Sequence, residues 1–136
     1  MKVDGSCHCG KIRFEADVDL AAVTICHCTD CQQLTGTAFR VSVPAAASTL
    51  RFVGCTPKTY VKTADSGRQR IQGFCADCGT PLYSTGIDAH PAHYMLRTGC
   101  MTQRDSLVPR EELWRRSALP WLPNLHCDRS LDQEDD

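Results

Sequence analysis

Seven of the ten cysteines gather in three short clusters: Cys7-His8-Cys9-Gly10, Cys26-His27-Cys28-Thr29-Asp30-Cys31 and Cys75-Ala76-Asp77-Cys78-Gly79. Thiolates at such spacing are ligands for a soft divalent cation, zinc first among them. Two plus two cysteines complete one tetrahedral site. The other three are a self-sufficient cluster, so pairing Cys7 and Cys9 with Cys75 and Cys78 is the economical partition, although spacing alone does not fix it. A zinc with four protein ligands holds a fold together, whereas one with three can accept an outside ligand and act as a Lewis acid.

In an extended strand, residues two apart point the same way, so Cys7 and Cys9 can reach one metal, and so can Cys26 and Cys28. Cys75-x-x-Cys78-Gly79 reads as a knuckle whose turn converges two sulfurs and whose glycine is free to take positive φ. A redox role for that pair wants a strand followed by a helix, and Gly79-Thr80-Pro81 is poor helix material. Cys31 falls in a first helical turn, where free N–H groups favour a thiolate. Zinc held by Cys26, Cys28 and Cys31 suits a small thiol as its guest, which it would turn into a nucleophile toward a carbon electrophile. Two other readings stay open: a fourth ligand from Cys55, Cys100, Cys127 or a distant histidine, and an iron–sulfur centre on three thiolates.

The elements that must position these clusters read as β-structure. Lys11 to Val18 alternates polar and apolar, with Ile12, Phe14, Ala16 and Val18 facing inward. Residues 39–43, 50–53, 59–62, 70–74, 81–84 and 94–97 are further predicted strands. Pro44, Gly54, Pro57, Gly67, Gly86 and Pro91 are the expected turn formers. Thr29 and Gln32 fit a capping box that opens a helix of a turn or two ending at Gly36. Pro109 is expected to open a second short helix through Leu113 and Trp114 to Arg116. The fold class expected is all-β, mainly antiparallel, with one or two short helices.

The chain of 136 residues is expected to form one zinc-binding domain over 3–125, followed by an acidic, disordered tail over 126–136. No apolar stretch follows Lys2 and no run reaches spanning length, so neither a secretory signal nor a membrane span is expected, and the expected location is cytoplasmic. Reducing conditions there disfavour disulfides. Seven thiolates outweigh the charge of two zinc ions, taking the formal net charge from −1 to about −4, which makes nucleic acid an unlikely partner.

In these motifs the chain resembles the glutathione-dependent formaldehyde-activating enzymes, a family grouped with the CENP-V proteins. The resemblance rests on Gly5 to Gly10, Cys26 to Gln32, Phe74 to Leu82, Pro109 through Trp114 and Pro120-Trp121, and it extends to about Leu125. It implies a zinc-dependent fold of the β-tent type, with structural zinc on Cys7, Cys9, Cys75 and Cys78 and catalytic zinc on Cys26, Cys28 and Cys31. It implies two zinc ions per chain, glutathione as cosubstrate, and a carbon–sulfur lyase activity that forms S-hydroxymethylglutathione from formaldehyde. CENP-V proteins, associated with chromatin, keep a second reading in view: a noncatalytic zinc module for a macromolecular partner. Zinc storage or sensing is a third.

Glutathione carboxylates need cations, and Arg40, Lys58, Lys62, Arg68, Arg70 and Arg97 are available, each by default a solvated strand-face charge. His90 and His93 belong to a loop and can shuttle protons only if they lie near the site. His126 beside Cys127 reads as tail. Trp114 and Trp121 are expected to cover the sheet, and Cys55 and Cys100 to be small buried hydrophobes.

Overall fold

The computed structural model describes residues 1–134. Ten strands make two sheets. β1 (Lys2–Ser6), β2 (Ile12–Asp17) and β5 (Arg51–Gly54) form a three-stranded sheet with β2 at its centre. β3 (Thr24–Cys26), β4 (Arg40–Ala46), β6 (Lys58–Thr63), β7 (Gln69–Phe74), β8 (Pro81–Thr85), β9 (His93–Arg97) and β10 (Glu111–Leu113) form the larger sheet, in the order β10-β3-β4-β9-β8-β7-β6. All pairings are antiparallel except β10 with β3. The protein is therefore mostly β, with a single α-helix, α1 (Thr29–Thr35), and short 3-10 turns. Among the described residues no helix is long and apolar enough to cross a membrane.

The alternation in β2 does what a half-buried strand requires. Ile12, Phe14 and Ala16 face the core, joined by Val18 just past the strand end. They meet Val3 of β1, Val43 and Ala45 of β4, Leu82 of β8, Leu96 of β9 and the loop residues Met101 and Leu107. A run of aromatic contacts crosses between the sheets: Phe14 to Phe52 at 5.9 Å within the small one, Phe52 to Tyr83 at 5.6 Å between the two, and Tyr83 to Tyr94 at 5.0 Å within the large one, measured between ring centroids. Leu96 is wholly buried at the centre of this core, so Leu96→Ala is expected to cost about 3 kcal/mol of unfolding free energy, read by urea denaturation.

The helix expected from Pro109 is absent. Glu111, Glu112 and Leu113 instead pair with Thr24, Ile25 and Cys26 as a strand. Arg110 N–H donates to Val23 C=O at 2.8 Å and His27 N–H donates to Leu113 C=O at 3.0 Å, so both ends of the ladder are fastened. Without β10 the outer edge of β3 would be unpaired, and filling it satisfies more backbone groups than one isolated turn of helix. Trp114, at φ 59°, ends the strand, and a 3-10 turn follows over Arg115–Ser117.

Trp114 and Trp121 are exposed, Arg116 lying over the Trp114 ring at 4.8 Å, so they do not cover the sheet as expected. Pro44 is not in a turn either. It lies inside β4 opposite Met95, beyond the reach of β3, whose pairing ends at Thr24 and Ser42. Residues 126–134 contain no strand or helix, while Asp135 and Asp136 of the expected tail lie outside the described residues.

Candidate metal centres and the cationic sheet face

Two chain reversals build the first centre. Cys7 to Gly10 is a turn closed by Gly10 N–H to Cys7 C=O at 3.1 Å, so these two cysteines sit in the β1–β2 hairpin loop rather than on the extended strand expected. Cys75 to Gly79 is closed by Gly79 N–H to Cys75 C=O at 2.8 Å, with Gly79 at φ 78° as its sequence position required. The four sulfurs converge within 4.8 Å. Cys7 and Cys9 Sγ lie 3.6 Å apart and Cys9 and Cys75 Sγ 3.7 Å apart. Zinc–sulfur bonds of about 2.3 Å at tetrahedral angles place sulfurs about 3.8 Å apart, so the group has the span of a zinc tetrahedron. A disulfide would need about 2.05 Å.

Donors surround the sulfurs. Ile12 N–H points to Cys7 Sγ at 3.3 Å and Cys9 N–H to Cys78 Sγ at 3.5 Å. The Thr80 hydroxyl, 3.2 Å from Cys78 Sγ, with the Thr80 and Cys9 N–H groups, brings the Cys78 thiol down to about 5. Lys11 meets Asp77 at 2.6 Å and ties the hairpin to the knuckle from outside.

The second centre forms where β3 runs into α1. Cys26 ends the strand, and Cys28, not the expected Thr29, is the helix N-cap. Its sulfur accepts the Cys31 N–H at 3.2 Å. Gln32 does reach back, but its amide donates to the carbonyls of His27 at 2.8 Å and Ser117 at 2.9 Å, pinning the C-terminal segment to the helix start. Gly36, at φ 67°, closes the helix as expected. The three sulfurs lie within 4.8 Å of one another, and among the described residues no fourth His, Cys, Asp or Glu ligand atom joins them. Cys55 and Cys127 are exposed elsewhere, which corrects the buried role expected of Cys55. Cys100, half-buried, points its thiol at the Arg97 carbonyl at 3.0 Å. His90 and His93 are exposed and line none of the main cavities.

One face of the large sheet carries the rest of the site. The ladder sets Cys26 beside Arg40, Thr24 beside Ser42, Ser42 beside Arg97, Gln72 beside Ser84 and Arg70 beside Lys62. These positions, two apart along their strands, line a cavity of about 150 Å³ together with Cys31. A wider groove of about 990 Å³ lies against the β1–β2 hairpin and shares Arg40 and Arg97 with it.

Arg40 and Arg97 are 6% and 8% exposed, which overturns their default reading as solvated charges. Lys58 and Arg68 do remain exposed. Lys62 pairs with Asp30 of α1 at 3.1 Å. The Cys31 thiol is brought down to about 5, chiefly by its hydrogen bond with Cys26, against the effect of burial and with help from Cys28 and the Arg40 charge. That same hydrogen bond, with burial, pushes Cys26 up. Burial, then the charge of Arg40, lowers Arg97 to about 9.

Sequence reasoning missed Ser42, Gln72 and Ser84, the neutral partners of these arginines. The signal available was polar residues at inward positions of strands, above all Arg40 and Ser42 two apart on β4.

An all-β frame that converges seven cysteines into a four-sulfur and a three-sulfur group, both able to hold zinc, defines a metal-binding class of protein. The family model for glutathione-dependent formaldehyde-activating enzyme matches residues 2–117, and the chain belongs to that family. A crystal structure of a Rhodobacter sphaeroides protein shares the fold, with a TM-score of 0.60 at 21% identity over 80% of this chain and 98% of that one. No curated protein matches.

Proposed function

We propose that this protein is a zinc-dependent carbon–sulfur lyase-type enzyme that makes and breaks the adduct of a small thiol, glutathione first, with an aldehyde. The observation that carries this is the three-sulfur group of Cys26, Cys28 and Cys31, to which the described chain adds no fourth ligand. Zinc held there supplies Lewis acidity that lowers the pKa of an outside thiol. Cys7, Cys9, Cys75 and Cys78 hold the structural ion. The start of α1 orients Cys28 and Cys31, and Arg40 balances the negative charge gathered on the sulfurs. Lys62 and Arg70, which line the same cavity and are less buried than Arg97, are placed for the carboxylates of an anionic thiol.

In the forward step the thiol sulfur bonds to the aldehyde carbon, the C=O π pair moves to oxygen, and the thiol proton ends on that oxygen. With formaldehyde the product is S-hydroxymethylglutathione, and the reverse step cleaves its carbon–sulfur bond. The domain is taken as residues 3–125, a β-tent in which the four-cysteine centre joins the hairpin of the small sheet to the end of β7. Free thiols in such number suit a cytoplasmic setting.

Zinc-loaded protein is expected to accelerate adduct formation, followed by exchange NMR, above the uncatalysed rate. Equal rates with and without protein would leave the second reading, a noncatalytic zinc module of the CENP-V kind. Exposed Trp114 and Trp121 favour that alternative as contacts for a macromolecule.

A further inference from the structure

Formaldehyde is neutral, and Lys62 and Arg70 suffice for a thiol's carboxylate. Arg97 is then left without a purpose. It is 8% exposed and carries a full guanidinium into the sheet face. Its Nη1 donates to Ser42 Oγ at 2.8 Å and its Nη2 to Gln72 Oε1 at 2.8 Å, while Nε has no partner. Arg70 Nη2 donates to Ser84 Oγ at 3.5 Å. Ser42 and Ser84 are themselves 5% and 7% exposed. A hydroxyl that accepts from an arginine keeps its own proton for another acceptor. The corner thus presents donors from Arg97, Arg70, Ser42 and Ser84, and among the described residues no carboxylate lines the cavity.

Buried charge is costly unless it is paired. The other charges nearby are accounted for: Asp30 faces Lys62, and Cys31 faces Arg40. Arg97 also feels the charge of Cys31, but among the described residues no carboxylate pairs with its guanidinium. The cavity shares Arg40 and Arg97 with the wider groove, but the part that holds Ser42, Ser84 and Arg70 is about 150 Å³, well below the roughly 300 Å³ at which drug-sized ligand sites begin. A tripeptide thiol has its carboxylates several bonds from its sulfur and would have to fold back on itself to use this corner. An aldehyde whose carboxylate is one bond from the reacting carbon would not.

We propose that Arg97, with Ser42 and Ser84, binds the carboxylate of the electrophile, so that the carbonyl substrate is a small aldehyde bearing a 2-oxo carboxylate group. This rests on the thiol-addition reading. The sulfur–carbon bond forms as the C=O π pair moves to oxygen and takes the thiol proton. The product is a carboxylate-bearing hemithioacetal, with no change of oxidation state.

The test compares glyoxylate with glycolaldehyde, a neutral aldehyde of similar size, on the zinc-loaded protein. With glutathione and equally with 2-mercaptoethanol, kcat/KM is expected to favour glyoxylate by about 30-fold, as charge-assisted hydrogen bonds allow. Arg97→Gln is expected to collapse that preference to about threefold or less. Calorimetry without thiol is expected to show saturable glyoxylate binding to the wild type and none of glycolaldehyde, a readout that stands even if Arg97→Gln does not fold.

Equal use of the two aldehydes by the wild type overturns the carboxylate corner and leaves thiol addition intact. Loss in Arg97→Gln of a preference for glutathione over 2-mercaptoethanol, with the glyoxylate preference retained, places the carboxylate on the thiol and also overturns it. Turnover of neither aldehyde, with formaldehyde unused as well, refutes thiol addition. In that case Arg97-dependent glyoxylate binding still supports the corner, and its absence overturns it.

Discussion

Cys75→Ser is expected to leave a protein with no cooperative unfolding transition and no near-ultraviolet circular dichroism. Cys75 is buried among core residues, and its sulfur lies 3.7 Å from Cys9, which comes from a hairpin 66 residues earlier in the chain. The centre therefore closes a long loop between the small sheet and the end of β7. Structural zinc supplies binding free energy of roughly 10 kcal/mol or more, while a whole domain keeps a margin of roughly 5–15 kcal/mol. The variant also leaves three thiols crowded around a weakened cation. A cooperative transition within a few degrees of wild type would show that hydrophobic packing alone holds the sheets together.

Cys31→Ser is expected to behave in the opposite way. It should keep the fold, retain one zinc of two by metal analysis, and lose adduct formation by about 100-fold or more. Cys31 stands in the first turn of a seven-residue helix whose other ties survive: Gln32 still reaches the His27 and Ser117 carbonyls, and Gly36 still closes the C-terminus. Serine keeps the backbone N–H that Cys28 Sγ accepts. The stability change should therefore stay near 1 kcal/mol. Unaltered turnover would remove the three-cysteine centre from the chemistry, and unfolding would make it a structural site like the first.

The features legible in the sequence are those fixed by local constraints. Ile12, Phe14, Ala16 and Val18 could be placed because a half-buried strand writes its own alternation. The grouping of seven cysteines into four and three was the economical reading of three compact clusters, and the sulfurs converge in those groups, although spacing alone did not fix which pair joins which. Gly36 and Gly79 could be read because their φ angles demand glycine.

What was hidden depends on partners far away in the chain. β10 exists because β3 has an open edge, and nothing between Pro109 and Arg116 records that. Cys28 displaced Thr29 as the helix cap because its sulfur, already drawn toward Cys31, could accept the N–H itself. The cations could be named but not sorted. Burial of Arg40 and Arg97, against exposure of Lys58 and Arg68, follows from position in the sheet: β4 and β9 are interior strands, whereas Lys58 begins the edge strand β6 and Arg68 precedes β7. Strand order decides that, and a single strand's pattern does not.

The central claim is that zinc at Cys26, Cys28 and Cys31 takes its fourth sulfur from outside the chain. Zinc K-edge absorption on the two-zinc protein measures this directly. The protein offers seven sulfurs to two ions, four in one group and three in the other. Adding glutathione is predicted to raise the total to eight, with the gain missing in Cys31→Ser. A count that does not rise, or that is already complete before the thiol is added, would contradict the account.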